Sequence, residues 1–294
     1  MTQISKDLEM AVALLQRDQV IGIPTETVYG LAGNALKHSV VEAIYKIKNR
    51  PLLNPLIIHL PDIAQLHKYV KNIPDIAIKL AENFWPGPLT LLLPKNGIIP
   101  DIVTAGLPNV AVRIPSHPLA IQLLRKLSFP LAAPSANPFG YISPTTAEDV
   151  KKILFGKISY ILDGGACEKG IESTIVGFDG DIPIIYRVGA ISPEAIKKIA
   201  GKVEIHNKQT LTPLSPGMLP FHYAPHTPFF LTNNTKALLN TLPRSGTGIL
   251  AFNVPCPYIA EINQETLSTS GNLDEAARNL YKALHRLDSL KWTG

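Results

Sequence analysis

Val20-Ile21-Gly22-Ile23-Pro24-Thr25-Glu26-Thr27-Val28-Tyr29-Gly30-Leu31 is the stretch on which the fold turns. Its first four residues are apolar and read as a buried strand. Hydroxyls, a carboxylate and a glycine then crowd the carboxyl end of that strand, where ligands of open α/β sheets tend to bind. An ordinary turn with capping threonines accounts for the same octapeptide, and the residue types alone leave both readings open. Upstream, Leu8, Ala11, Val12 and Leu15 recur at helical spacing, so helix precedes strand.

Downstream, Ser39-Val40-Val41-Glu42 has the S-x-x-E pattern of a capping box and predicts a helix start. Pro51 ends that helix and takes Arg50 off the helical path. The corner Lys48-Asn49-Arg50-Pro51 thus aims two cations that suit an extended anion such as a polyphosphate. Basic residues in a last turn also favour the negative end of the macrodipole. Residues 55–60 form a second apolar strand carrying His59, by itself either a structural group or a ligand contact. Trp85-Pro86-Gly87-Pro88-Leu89-Thr90 makes a rigid turn into strand 90–93. In Val110-Ala111-Val112-Arg113-Ile114 a single guanidinium lies in an apolar run, and burial then demands an anionic partner from protein or ligand. Helix 118–127 leads to an apolar strand that ends in Ser135-Ala136-Asn137. Ser143-Pro144-Thr145-Thr146-Ala147-Glu148 opens another helix, with Thr145 and Glu148 as its capping box. Strands 158–163, 172–178 and 182–187 follow, then a helix begun by Ser192-Pro193 and closed at Gly201. This alternation predicts a mixed α/β sheet for residues 1–206. A proline-rich linker, 207–227, precedes a smaller α/β unit, 228–294, with strand 228–232, helix 235–242, strand 247–252 and helix 274–290.

Composition narrows the classes. Of the 294 residues, 46% are hydrophobic and 17% charged, which excludes a disordered chain. The net charge of +5 permits anionic ligands without indicating a basic stripe. Cys167 and Cys256 are too few and too far apart for a disulfide framework or a four-cysteine zinc site. The amino terminus scatters charges through its apolar residues, and no apolar run reaches the roughly 18 residues that span a bilayer. We therefore expect a cytoplasmic protein with no membrane contact. Pro225 between His222 and His226 argues against a shared helical face, so no protein-bound metal is expected.

The familiar phosphate loop, dinucleotide fingerprint, nucleophile elbow and H-E-x-x-H motif are all absent. A nucleotide site would have to converge from several strand ends: Lys48 and Arg50, Ser135 to Asn137, Thr145, Arg113 and Arg187. Together with the octapeptide, Trp85–Thr90, Ala133–Asn137 and Glu172-Ser173-Thr174-Ile175, these residues resemble the threonylcarbamoyl-adenylate synthase family. Its signature is the separated K-x-R and S-x-N pair. Ser215-Pro216-Gly217-Met218 and His222-Tyr223-Ala224-Pro225 resemble the linker of its long-form members, although Leu219-Pro220-Phe221 departs from their usual basic residue and tyrosine.

The resemblance implies a YrdC-like twisted mixed sheet with flanking helices around a large pocket, followed by a small Rossmann-like domain. By the same resemblance a glycine-containing segment and an arginine-rich last helix would follow residue 290, so an incomplete second domain is expected within residues 228–294. The implied reaction joins L-threonine, bicarbonate and ATP into threonylcarbamoyl-AMP and pyrophosphate, and the adenylate passes to a partner that modifies tRNA next to the anticodon. By the same resemblance Lys48 and Arg50 are the catalytic cations and clamp the triphosphate. Ser135, Asn137, Ser143, Arg187 and Tyr223 attend ATP, and Thr25, His59, Arg113 and Ser173 hold threonine. Mg2+ is expected with the phosphates, and no general base is evident. Two other readings stay in view. One is a double-stranded RNA binding module, for which weak RNA contact through phosphates would suffice. The other is a carbamoyl-adenylate-forming domain, whose zinc-finger and acylphosphatase-like companions this chain lacks.

Overall fold

A computed structural model describes residues 2–206, 215–216, 223–242 and 246–290 of the protein. The first part of the chain runs β1 (Gln3–Ser5), α1 (Leu8–Gln16), β2 (Ile21–Ile23), β3 (Gly30–Asn34), α2 (His38–Lys48) and β4 (Ile57–His59). It continues through α3 (Leu66–Tyr69), α4 (Asp75–Phe84), β5 (Leu89–Pro94), α5 (Asp101–Thr104), β6 (Asn109–Arg113), α6 (Pro118–Arg125) and β7 (Leu131–Ala132). Then come α7 (Ala147–Ile153), β8 (Tyr160–Leu162), β9 (Thr174–Asp179), β10 (Ile182–Arg187), α8 (Pro193–Ala200) and β11 (Glu204–Ile205). These strands form one mixed sheet in the order β1-β8-β2-β3-β7-β4-β6-β5-β9-β10-β11. The later residues add α9 (Thr235–Leu239), β12 (Ile249–Ala251), β13 (Gln264–Thr266) and α10 (Leu273–Asp288), with β12 parallel to β13.

Strand alternation positions the site. In β4 the side chain of Ile58 joins the main core with Val110 and Val112 of β6. Their neighbours Ile57, His59 and Arg113 face a cleft on the other side. Because β4 and β6 pair in parallel with His59 opposite Arg113, the histidine and the guanidinium stand side by side. Leu89, Leu91 and Leu93 likewise enter the main core, leaving Leu92 and Thr90 for the opposite face. Each such leucine is fully buried and contributes about 1.5–3 kcal/mol. A second cluster packs α1 and α6 against β2, β7 and β8 through Leu15, Leu123 and Tyr160.

Several local expectations are corrected. The Ser39–Glu42 box does not form: the N-cap of α2 lies two residues earlier, at Lys37, with no side-chain cap. The second box is displaced by one residue, to Thr146 and Asp149, whose side chains each bond the other's backbone N–H. Residues 228–232 are not a strand; Phe229, Phe230 and Leu231 are exposed and no ladder reaches them. An apolar run becomes a strand only where an edge pairs with it. Four strands, β1, β3, β11 and β13, have no counterpart in the sequence reading. Elsewhere the expected elements form within a few residues of their predicted bounds, and α8 has Ser192 and Gly201 as its caps. Gly217 to His222, including the departing Leu219-Pro220-Phe221, and Trp292 to Gly294 lie outside the described residues.

Candidate active site

A cleft opens where β4, β6, β7, β9 and β10 meet the turn between β2 and β3. Its walls include Thr25, Thr27, Arg50, His59, Arg113, Ser135, Glu172, Ser173, Arg187 and Tyr223. Eight of the eleven residues predicted for the site therefore share one wall. Lys48, Asn137 and Ser143 stand behind it, each nearly or wholly inaccessible.

The octapeptide is a turn and a wall at once. Thr25 Oγ1 donates to the Val28 carbonyl (2.6 Å) and accepts from the Thr27 and Val28 amides. Arg113 finds its partner within the protein. Its Nη2 lies 2.6 Å from Glu26 Oε1, Nη1 donates to Thr27 Oγ1 (2.9 Å), and Nε donates to the Gly87 carbonyl (3.3 Å). Both charges are almost completely buried, so this end of the cleft carries an internally neutralised pair. Beside it, burial and then the Arg113 charge push His59 down to about 3. His59 is thus neutral at physiological pH, and its Nδ1 has no hydrogen-bond partner among the described residues.

The basic corner folds as α2 runs out. Asn49 takes the left-handed conformation (φ 52°) as C-cap, and Arg50 N–H returns to the Tyr45 carbonyl. The two cations then part. Lys48 Nζ turns inward and donates to the backbone carbonyls of Ser135 and Asn137, with Asn137 Oδ1 at 3.5 Å. Burial, then Arg50, hold it well below the usual lysine value, opposed by Glu172. Arg50 reaches the cleft, steadied by Asn54 and Pro55 oxygens at 2.6–3.0 Å. Burial lowers it to about 10, so it stays cationic at neutral pH. Lys48 accordingly ties down the S-x-N segment, and Arg50 supplies the accessible charge. Asn137 fixes the same segment through the Pro138 and Tyr141 carbonyls.

Opposite, a register shift near the end of β10 lets Arg187 pair with Ile175 and turn into the cleft. Its Nε and Nη2 donate to the carbonyl and hydroxyl of Ser173, and Nη1 lies 3.5 Å from the Tyr223 hydroxyl. Ser173 Oγ is also 2.8 Å from Thr90 Oγ1. Gly189 permits this turn, since a Cβ there would fall 2.4 Å from the Glu172 carbonyl oxygen. The Tyr223 ring lies 5.6 Å from Tyr281 of α10, and His285 Nε2 is 3.0 Å from the Ser143 carbonyl, so the carboxyl-terminal helix backs this wall.

Three participants were not predicted: Glu26, Thr27 and Glu172. Glu172 is the one carboxylate lining the cleft among the described residues. Its Oε1 accepts from Ser143 Oγ (2.7 Å), and Oε2 lies 3.9 Å from Arg187 Nη2. All three lay within motifs already singled out; what was missing was their contacts across the sheet. No group of three or more His, Cys, Asp or Glu side chains poised for a metal occurs among the described residues.

A twisted mixed sheet with flanking helices, bearing a cation-lined cleft at its strand ends beside a small α/β unit, defines a YrdC-like protein with a carboxyl-terminal domain. The chain belongs to the Sua5/YciO/YrdC family. The model of that family, described as telomere recombination, matches residues 13–189. A second, described as the threonylcarbamoyl-AMP synthase C-terminal domain, matches residues 191–293. The threonylcarbamoyl-AMP synthase of Pyrococcus abyssi is 38% identical over 96% of this chain and 85% of its own length. The Bacillus subtilis enzyme of the same name is 39% identical over 97% and 85%. The crystal structure of P. abyssi Sua5 complexed with L-threonine superposes with a TM-score of 0.90 at 35% identity, covering 99% of this chain and 90% of that one.

Proposed function

We propose that the protein is a threonylcarbamoyl-AMP synthase, a nucleotidyltransferase that makes L-threonylcarbamoyladenylate and pyrophosphate from L-threonine, bicarbonate and ATP. The observation that carries this reading is the pairing of two unlike ends in one cleft. Arg113, neutralised by Glu26, sits beside the neutral His59, and Arg50 and Arg187 stand across from them. Threonine is a zwitterion and suits the balanced end; a triphosphate needs the excess cations. Relatives of the same name over most of both chains support the assignment.

In this reading Thr25, His59, Arg113 and Ser173 hold threonine, and Arg50, Ser135, Arg187 and Tyr223 face the nucleotide. Lys48, Asn137 and Ser143 act from behind by ordering the wall. The threonine nitrogen and bicarbonate give a carbamate with loss of water. A carbamate oxygen then bonds to the α-phosphorus as the bond to the pyrophosphate oxygen breaks. The protein's part is alignment and charge neutralisation. Mg2+ would supply further neutralisation on the phosphates. We assign residues 1–206 to the catalytic domain, 207–227 to the linker and 228–294 to the second domain. The adenylate would pass to a tRNA-modifying partner in the cytoplasm; no helix among the described residues is long and apolar enough to cross a membrane. Nothing in the cleft favours the double-stranded RNA module.

The test is pyrophosphate release from ATP with threonine and bicarbonate each added or omitted. Release should require both, and release indifferent to threonine overturns the assignment.

A further inference from the structure

The cleft holds one carboxylate that its neighbours do not use up. Glu26, a buried acid, is ion-paired to Arg113 through Oε1 at 2.6 Å; its Oε2 also accepts no hydrogen bond among the described residues, but the side chain does not line the cleft. Glu172 differs. Ser143 Oγ fixes its Oε1, whereas Oε2 accepts no hydrogen bond among the described residues and has only a long approach, 3.9 Å, to Arg187. Nor does Arg187 need Glu172 for support, because its Nε, Nη1 and Nη2 already meet the Ser173 carbonyl, the Tyr223 hydroxyl and the Ser173 hydroxyl. An anion placed where a triphosphate is to bind opposes that binding unless a cation comes between them. Mg2+ is commonly held by one or two carboxylates together with substrate phosphates and water, and a ligating carboxylate is characteristically held by a hydrogen bond to its other oxygen. Glu172 meets both conditions.

We propose that Glu172 Oε2 is the protein ligand for the divalent cation that accompanies ATP, with Ser143 as the residue that positions it. A three-carboxylate cluster is not required for this, since the phosphates and water complete the coordination. The proposal rests on the nucleotide reading above. It also gives Ser143, wholly buried behind the wall, a reason to be a serine: its hydroxyl holds one carboxylate oxygen so that the other faces the cleft.

The experiment is calorimetric binding of a non-hydrolysable ATP analogue to the full chain, with Mg2+ and with chelator. Wild type, Glu172→Gln and Glu172→Asp are compared, and Mn2+ paramagnetic resonance serves as a direct metal readout. Wild type should bind the analogue more tightly with metal. Glu172→Gln should lose about tenfold to a hundredfold of that metal-dependent gain, and its metal-free affinity should be unchanged or improved, since a repulsive charge has gone. Glu172→Asp, which keeps the charge, should recover part of the gain, and the Mn2+ signal of the ternary complex should change in Glu172→Gln. An equal metal-dependent gain in wild type and Glu172→Gln overturns the proposal while leaving the nucleotide reading intact. Equal weakening with and without metal also overturns it, because that marks a role confined to shaping the wall. No binding by wild type in either condition overturns the nucleotide reading, and the proposal with it.

Discussion

The two ends of the cleft are built from the same residue type and behave differently. At one end Arg113 gives every guanidinium nitrogen to Glu26, Thr27 or Gly87, and its charge is cancelled inside the protein. At the other, Arg50 and Arg187 donate their hydrogen bonds to neutral oxygens, with Glu172 no nearer to Arg187 than 3.9 Å, and keep most of their charge for a ligand. Desolvating an ion is costly unless it is paired, so the first arrangement makes a firm wall and the second a site that binding completes. An arginine's presence in a cleft thus says less than what holds it there.

The largest effect should come from cutting the balanced pair. Arg113→Met leaves Glu26 buried without its partner and should cost about 3–5 kcal/mol in urea unfolding, most of it regained in the Arg113→Met/Glu26→Gln double variant. A loss under about 1 kcal/mol would show that the pair is hydrated and the contrast unfounded. Next, Arg50→Ala should lower kcat/KM for ATP by roughly a hundredfold to a thousandfold, the scale of losing one preorganised charge donor, with the KM for threonine little changed. Equal damage to both substrates would dissolve the distinction between the ends. Lys48→Ala should differ from Arg50→Ala in stability, because its removal strips the donor from two carbonyls that it now satisfies, at about 1–3 kcal/mol.

A subtler probe is His59, held down to about 3 when folded against about 6.5 in an unfolded chain. Between those values the unfolded state binds the extra proton, so stability falls as pH drops below about 6.5, by up to about 1.4 kcal/mol per unit. Urea midpoints of wild type and His59→Gln, compared from pH 7 to pH 4, should converge as the solution is acidified, because only wild type carries this slope. Parallel curves would mean that His59 charges in place. The smallest effect expected is that of Tyr223→Phe, which removes the hydroxyl that Arg187 approaches at 3.5 Å. About 1 kcal/mol or less, read as a change of under about tenfold in the KM for ATP, is what one long hydrogen bond supports.

Much of the architecture was legible because it follows from local pattern. Apolar strands read at 55–60 and 110–114 form at 57–59 and 109–113, and Ser192 and Gly201 bound their helix. The failures have physical reasons. β3 escaped notice because Gly30 and Gly33 dilute the apolar signal of its short run. The Ser39–Glu42 pattern lost to a start two residues earlier, and the box at Thr146–Asp149 won over its neighbour at Thr145–Glu148. Both outcomes are choices of register that packing makes. The motifs located the cleft, yet they carried no information on which side chains would face it.

By itself the sequence determined the alternation of elements, the gathering of polar residues at strand ends and the need of Arg113 for an anion. Only the tertiary structure decided that the anion is Glu26, 87 positions away, that Lys48 turns to the backbone while Arg50 turns to the cleft, and that one oxygen of Glu172 accepts no hydrogen bond among the described residues. Helix and strand periods are written residue by residue, whereas the net charge of a pocket depends on partners brought together across the sheet.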